Sequence, residues 1–307
     1  MKYCLMAWLL GDVPEIEIDA QKFNSLLKAR KVLEGALAIE EKYDLLFSNY
    51  LDLEREGLHY ATECMVKGSL GHVGFADAIQ SINRRVVNLL TSARLYIDHV
   101  QQNIKLCVNN ENIKSLFSEQ YDSVFEYRFM EALRNYVQHC GLSVHKVTTP
   151  MKWTSQDESA QLEFGFIAFS SRDIFQDSGK FKASILEEMP EKVEIFSSTR
   201  SYVAAISSIH ESIRQIISVN VDAARSELES AINDYKAINS GDAVGLMAIK
   251  YEPDTPSPKR VIEKFPVLLS WDDTRISLSI KNKQLKNLNK RYVSSGAYNK
   301  ALQRTSR

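Results

Sequence analysis

Apolar residues recur every three or four positions over most of the first half of this chain. Between residues 19 and 66 the series Leu26, Leu33, Leu37, Tyr43, Leu46, Tyr50, Leu53, Gly57, Tyr60 and Cys64 keeps a helical period with no proline. One long helix, or two stacked ones, is predicted there, with Asp19 as its N-cap. From Phe75 to Val108 the period is cleaner still. Ile79, Ile82, Val86, Leu89, Ala93, Ile97, Val100 and Ile104 fall on one stripe, and the outer face carries Arg84, Arg85 and Arg94. The glycine-rich stretch 67–74 separates the two. It lacks both the preceding strand and the Lys-Ser/Thr ending of a phosphate-binding loop. A turn at Asn109-Asn110 leads to residues 121–145, which read as one further helix with Gly141 as its stop signal. Such segments, joined by short connections, predict a helical bundle over residues 1–145.

After Val144 the texture changes. Residues 146–153 and 162–169 read as the strands of a hairpin turned by the polar residues 156–160, and Asp177, Ser178 and Gly179 mark a further loop. The stretch 190–238 is helical again, with Ile195, Tyr202, Ile206, Ile209, Ile213, Ile216, Ala224, Leu228, Ala231 and Tyr235 in period; His210 reads as a structural surface residue. Residues 244–251 form a candidate strand, the proline-rich 252–258 a loop, and 265–271 with 275–280 a hairpin about Asp272-Asp273-Thr274. The fold class expected is therefore mainly α, a helical bundle with long amphipathic helices plus a small antiparallel β region in the second half (α+β). Three regions follow: a bundle at 1–145, a mixed helix and strand region at 146–282 with its long helix at 191–238, and a basic, flexible tail at 283–307.

The apolar stripe from Ile195 to Tyr235 would run about 60 Å if wholly helical at 1.5 Å per residue. That exceeds the width of a compact domain of this size, so a homodimer burying apolar helix faces is expected.

Composition narrows the class. A chain of 307 residues, 44% hydrophobic and 25% charged, fits an ordinary globular protein with room for one large domain or two smaller ones. Residues 1–10 are apolar behind one lysine, but no small-residue cleavage site follows and the run is too short to span a bilayer. A buried strand or short helix is expected there, and no membrane association. Cys4, Cys64, Cys107 and Cys140 are scattered, with no paired spacing. Reduced thiols in a cytoplasmic protein are expected, with neither structural metal nor cofactor. Net charge is −1, yet the residues from Lys281 onward hold eight Lys or Arg and no acid, leaving about −9 before them. That basic tail could meet RNA phosphates.

The residues able to do chemistry meet in Arg134-Asn135-Tyr136-Val137-Gln138-His139. On a helix, Arg128, Glu131, Asn135 and His139 share one polar stripe, beside an apolar one of Phe125, Phe129, Ala132 and Tyr136. Arg134 lies about 100° round from Asn135 but can swing to the same edge. His139 would sit in the last turn, where the helix dipole favours the imidazolium. A second Arg/His spacing, Arg94 to His99, lacks the polar residue after its arginine. Cys140 follows His139, but chain neighbours on a helix point apart.

This pattern resembles the HEPN superfamily of helical-bundle ribonucleases, whose signature is Arg, a polar residue, three variable residues and His. Arg134, Asn135 and His139 fill those positions. The resemblance implies a metal-independent endoribonuclease of toxin or defence type, acting as a dimer, with RNA as substrate and an antitoxin or other protein as partner. In it His139 moves protons, Arg134 stabilises phosphoryl charge, and Asn135 orients the ring or binds a phosphate oxygen. The alternative is a non-enzymatic, α-rich interaction or scaffold protein. Residues 298–307 resemble the translated recombination site that ends integron gene cassettes, which implies a mobile bacterial gene.

Overall fold

A computed structural model describes residues 1–9, 11–109, 113–156, 160–252, 260–283, 285, 287–291 and 293. In chain order the elements are strands β1 (Lys2–Ala7) and β2 (Glu15–Ile18), then helices α1 (Ala20–Lys67), α2 (Gly71–Cys107), α3 (Lys114–Ser123) and α4 (Phe125–His139). Strands β3 (Lys146–Thr148), β4 (Met151–Trp153), β5 (Leu162–Phe164) and β6 (Ile167–Ser171) follow, then helices α5 (Arg172–Ser178) and α6 (Ala183–Glu188). The chain continues through β7 (Lys192–Glu194), α7 (Ile195–Ile238), β8 (Leu246–Tyr251), β9 (Val261–Pro266) and α8 (Ser270–Lys281). The protein is mainly α with small antiparallel sheets. Among the described residues no helix is long and apolar enough to cross a membrane.

Two compact units are each assembled from segments distant in sequence. The first comprises residues 1–44, 96–113 and 211–283; the second comprises 45–95, 114–210 and 284–307.

In the first unit the N-terminal strand pairs antiparallel with β2 on one side and β8 on the other, giving the order β2-β1-β8-β9. Asp19 caps α1 as expected, its carboxylate accepting the Lys22 amide at 2.6 Å. The first turns of α1 then seal the sheet, with the Phe23 ring 5.1 Å from both Tyr3 and Phe265. Tyr235 reaches the sheet from α7: its hydroxyl accepts the Ala7 amide at 3.0 Å and donates to the Pro14 carbonyl at 3.1 Å. Helix contact is close at Gly35, where an added Cβ would stand 2.9 Å from the Leu106 side chain. Arg214 grips Glu40 with two bonds of 2.8 and 2.7 Å.

The expected hairpin over 265–280 is corrected. Strand β9 pairs with β8 instead, and residues 270–281 are helical. The alternation of Ile276, Leu278 and Ile280 with polar residues suggests a strand, but Asp272 decides otherwise. Its side chain is wholly buried and held by Arg225 at 2.7 Å and by Arg275, one helical turn on, at 2.5 Å. The i,i+3 reach of that second bond fits a helical turn and not an extended strand, where such residues lie on opposite faces.

The second unit holds the 121–145 region. Its sheet has the order β3-β6-β7, and β4 pairs with β5 as a two-stranded ribbon, so the 146–169 hairpin is present with a break at Pro150 and Gly165. Most of its predicted turn lies outside the described residues, as do the proline-rich loop, Asn110 of the earlier turn, and residues 298–307. The glycine break between α1 and α2 is shorter than expected, because α2 already starts at Gly71. Asp177 and Ser178 end α5 rather than lying in a loop, and Gly179 follows with φ 63°. Asn83 is the main polar clasp. Buried on α2, its Oδ1 accepts the amides of Ser143 and Val144 and the Ser143 hydroxyl, each at 2.8 Å.

Candidate functional site

Residues 121–145 form the end of one helix, a second helix and a loop, where a single helix was expected. The break is at Val124, whose backbone is extended at φ −118° and ψ 110°. Arg128 stabilises it by reaching back: its Nη1 donates to the carbonyls of Tyr121 (2.8 Å) and Asp122 (2.9 Å). A helix leaves its last carbonyls without intrahelical donors, so α3 can end there without loss. The same guanidinium pairs with Glu188 at 2.5 Å.

Helix α4 then buries Tyr127, Phe129, Met130, Ala132, Leu133 and Tyr136. Phe129 and Tyr136 pack on the Phe175 and Phe181 rings, which stack 4.2 Å apart. A fully buried phenylalanine contributes about 2–3 kcal/mol, so this cluster fixes which way α4 faces. Its C-terminus stops at His139, where the amides of Cys140 and Gly141 both donate to the Tyr136 carbonyl. Gly141 does not act through a left-handed backbone. It admits the Tyr136 hydroxyl, which would lie 2.9 Å from a Cβ at that position.

On the opposite side of α4, Asn135, Gln138 and His139 are exposed. Arg134 lies at the border, its side chain 16% exposed. Its Nη2 donates to Asn135 Oδ1 at 2.5 Å and its Nη1 to Gln138 Oε1 at 3.1 Å. Among the described residues its Nε is buried without a hydrogen-bond acceptor, and it stands 4.0 Å from Glu131 Oε2. Glu131 in turn accepts the Tyr202 hydroxyl on Oε1 at 2.7 Å. Burial first, and then the charge of Glu131, push the Tyr202 phenol well above the ordinary tyrosine range, so it stays a donor. The Tyr127 ring lies 5.1 Å from Tyr202.

Of the three residues singled out in the sequence, two touch. Asn135 gives its side-chain oxygen to Arg134. His139 is one turn further on, solvent-facing, and makes no hydrogen bond, ion pair or ring contact among the described residues. Arg94 and His99 are both half-buried within α2. Of the outer-face arginines, Arg84 is exposed while Arg85 pairs with Glu56 at 2.8 Å.

Two other histidines are structural. His145 uses both ring nitrogens, accepting the Ser171 amide at 3.0 Å and meeting the Leu142 carbonyl at 3.0 Å; burial holds its titration below the ordinary imidazole value. His210, expected on the surface, is 1% exposed. The buried stripe of α7 around it is wider than the apolar period alone marks out, taking in Ser207 as well.

The sequence places Tyr202 on the apolar stripe of α7 but not beside Glu131, which lies 71 positions away. Only the fold joins them. Among the described residues no three His, Cys, Asp or Glu side chains gather as a metal ion would require. No protein-family model, curated protein or solved structure matches this chain.

Proposed function

We propose that the chain is an endoribonuclease that acts as a homodimer through Arg134 and His139 of each copy. The observation that carries this reading is the exposed edge of α4. There, among the described residues, an unengaged imidazole, an asparagine and a glutamine share one surface with a guanidinium whose two outer nitrogens are held only by neutral amide oxygens. A phosphate would bind those nitrogens more strongly than the amides do, because charge-assisted bonds are about twice as strong as neutral ones.

In the reaction the RNA supplies its own nucleophile. The 2′-oxygen forms a bond to the adjacent phosphorus while the bond from phosphorus to the 5′-oxygen breaks. One proton leaves the 2′-hydroxyl and one reaches the departing 5′-oxygen, giving a 2′,3′-cyclic phosphate and a 5′-hydroxyl. An imidazole suits both transfers, since its ordinary titration spans neutral pH. Arg134 would stabilise the charge on the non-bridging oxygens. The toxin or defence setting, with an antitoxin as partner, belongs to the same reading.

A second reading has its own support. Glu131 stands beside Arg134 and is anchored by the buried Tyr202, which is how a structural arginine is kept in place. On that reading α4 presents a polar surface to a protein partner and does no chemistry. Expressing wild type, His139→Ala and Arg134→Ala in cells separates the two. The nuclease reading expects growth arrest and loss of intact RNA from wild type alone. Equal effects from all three proteins would leave only the scaffold reading.

A further inference from the structure

A cavity of about 290 Å³ opens in the second unit between α1 near Gly57, the β5–β6 connection and the first turns of α7. Its size suits a ligand no larger than an amino acid, at the lower end of small-molecule sites. We propose that this cavity binds a small organic cation, an ammonium or guanidinium group on a short aliphatic body.

The charges facing the space have one sign in excess. Among the described residues Glu54, Glu163 and Glu194 line it, against the single guanidinium of Arg200. Arg200 is already committed, its Nε and Nη2 each bonded to Glu54 at 2.7 Å. That leaves the guanidinium little to offer an anion, and among the described residues it acts on Glu194 as a nearby charge without a direct ion pair. The Glu194 oxygens each accept one backbone amide at the start of α7, from Phe196 at 2.8 Å and Ser197 at 2.5 Å. A carboxylate oxygen has room for two donors, so each keeps a free acceptor direction. Burial raises the Glu194 carboxyl above the ordinary range, and the two amides and the Arg200 charge offset this only in part. Among the described residues Glu163 pairs only with Lys152, at 3.9 Å and largely in solvent, a pairing worth little.

The walls are aromatic. Phe164, Phe166 and Phe196 line the cavity, and Phe166 is braced by stacking on Tyr60 at 5.1 Å. Ring faces attract cations and also shed water from an aliphatic chain. Gly57 makes the arrangement possible, because a Cβ there would lie 2.7 Å from the Phe196 ring. An acidic, aromatic-walled space rejects anions by charge and gives a neutral alcohol only a hydrogen bond from an uncharged donor to Glu194, weaker than one from a cation.

The test uses the 307-residue chain and three probes that share a short alkyl body, n-butylguanidine, 1-butanol and butyrate, followed by saturation-transfer NMR and titration. Binding of n-butylguanidine alone is expected, weakened about tenfold in Glu194→Gln, the scale of a lost charge-assisted bond. Because Glu194 also holds the start of α7, a second variant, Ala61→Phe, fills the cavity from its wall and should abolish binding while the circular dichroism stays that of wild type. No n-butylguanidine binding at 10 mM, equal signals from 1-butanol, or unchanged affinity in a folded Ala61→Phe would each overturn the proposal. A lysine- or arginine-bearing side chain carries the same chemistry. Binding of a tri-arginine peptide but not of n-butylguanidine would therefore contradict a site for a free small molecule. None of these readouts depends on RNA cleavage.

Discussion

The Tyr202 hydroxyl donates to Glu131 Oε1 at 2.7 Å, and the other oxygen of the same carboxylate stands 4.0 Å from Arg134 Nε. A buried phenol on α7 thus sets the orientation of the acid beside the candidate catalytic arginine. Tyr202→Phe removes one donor and leaves the rings packed. A stability loss of about 1 kcal/mol is expected, the net worth of one such bond, measured by urea unfolding followed by circular dichroism.

Gly57 and Phe196 form a tight contact inside the second unit. Gly57→Ala places a methyl 2.7 Å from the Phe196 ring tip, and overpacking of this kind costs about 1–3 kcal/mol. Phe196→Leu should relieve part of the cost when the two are combined. Thermal unfolding of both single variants and the double variant should therefore be non-additive.

Asp272 gives the first unit a pH dependence. Burial works to raise its carboxyl, but hydrogen bonds from Arg275 and then Arg225 outweigh that and hold it below the ordinary carboxylate value. The unfolded chain therefore takes up the proton at higher pH than the fold does. The stability Asp272 provides is complete above about pH 4 and is lost as the pH falls through its lower folded value. Asp272→Asn should cost about 2 kcal/mol at neutral pH and flatten that acid limb, as read by denaturant titrations at a series of pH values.

The thiols should divide cleanly. Cys4, Cys64 and Cys107 are 0, 1 and 3% exposed, and burial pushes the Cys107 thiol up to about 12. Cys140, beside His139, is exposed. In the native protein a colorimetric thiol reagent should label one cysteine per chain, lost in Cys140→Ser, with all four reacting in denaturant.

The long helices were legible because their faces obey one period throughout. On α2, Ile82, Val86, Leu89, Ala93, Ile97, Val100 and Ile104 are all buried, as the stripe requires. What the sequence hid was decided by partners far along the chain. Residues 275–280 alternate like a strand, but the helix of α8 is fixed by Arg225, 47 positions before Asp272. The break at Val124 follows from Arg128 reaching back to α3, and no glycine or proline marks it. The helices α5 and α6, of seven and six residues, are too short to show a period. At the candidate site the Arg-Asn-x-x-x-His spacing was readable, whereas the contacts of its arginine with Glu131, and of Glu131 with Tyr202, belong to the tertiary structure.

Assembly follows from the proposed chemistry, which needs two sets of Arg134 and His139. Sedimentation equilibrium at micromolar concentration should give a mass about twice the 34.9 kDa of one chain. A monomer at that concentration would remove the composite site.

The ribonuclease reading meets its most direct test in the cleavage of a synthetic RNA by purified protein in the presence of EDTA, with the termini of the products identified. Wild type should yield 2′,3′-cyclic phosphate and 5′-hydroxyl ends. His139→Ala, which removes an exposed side chain and should leave the fold intact, should be slower by on the order of 100-fold or more. Cleavage at equal rates by the two proteins, or no cleavage by the wild-type protein, would contradict it.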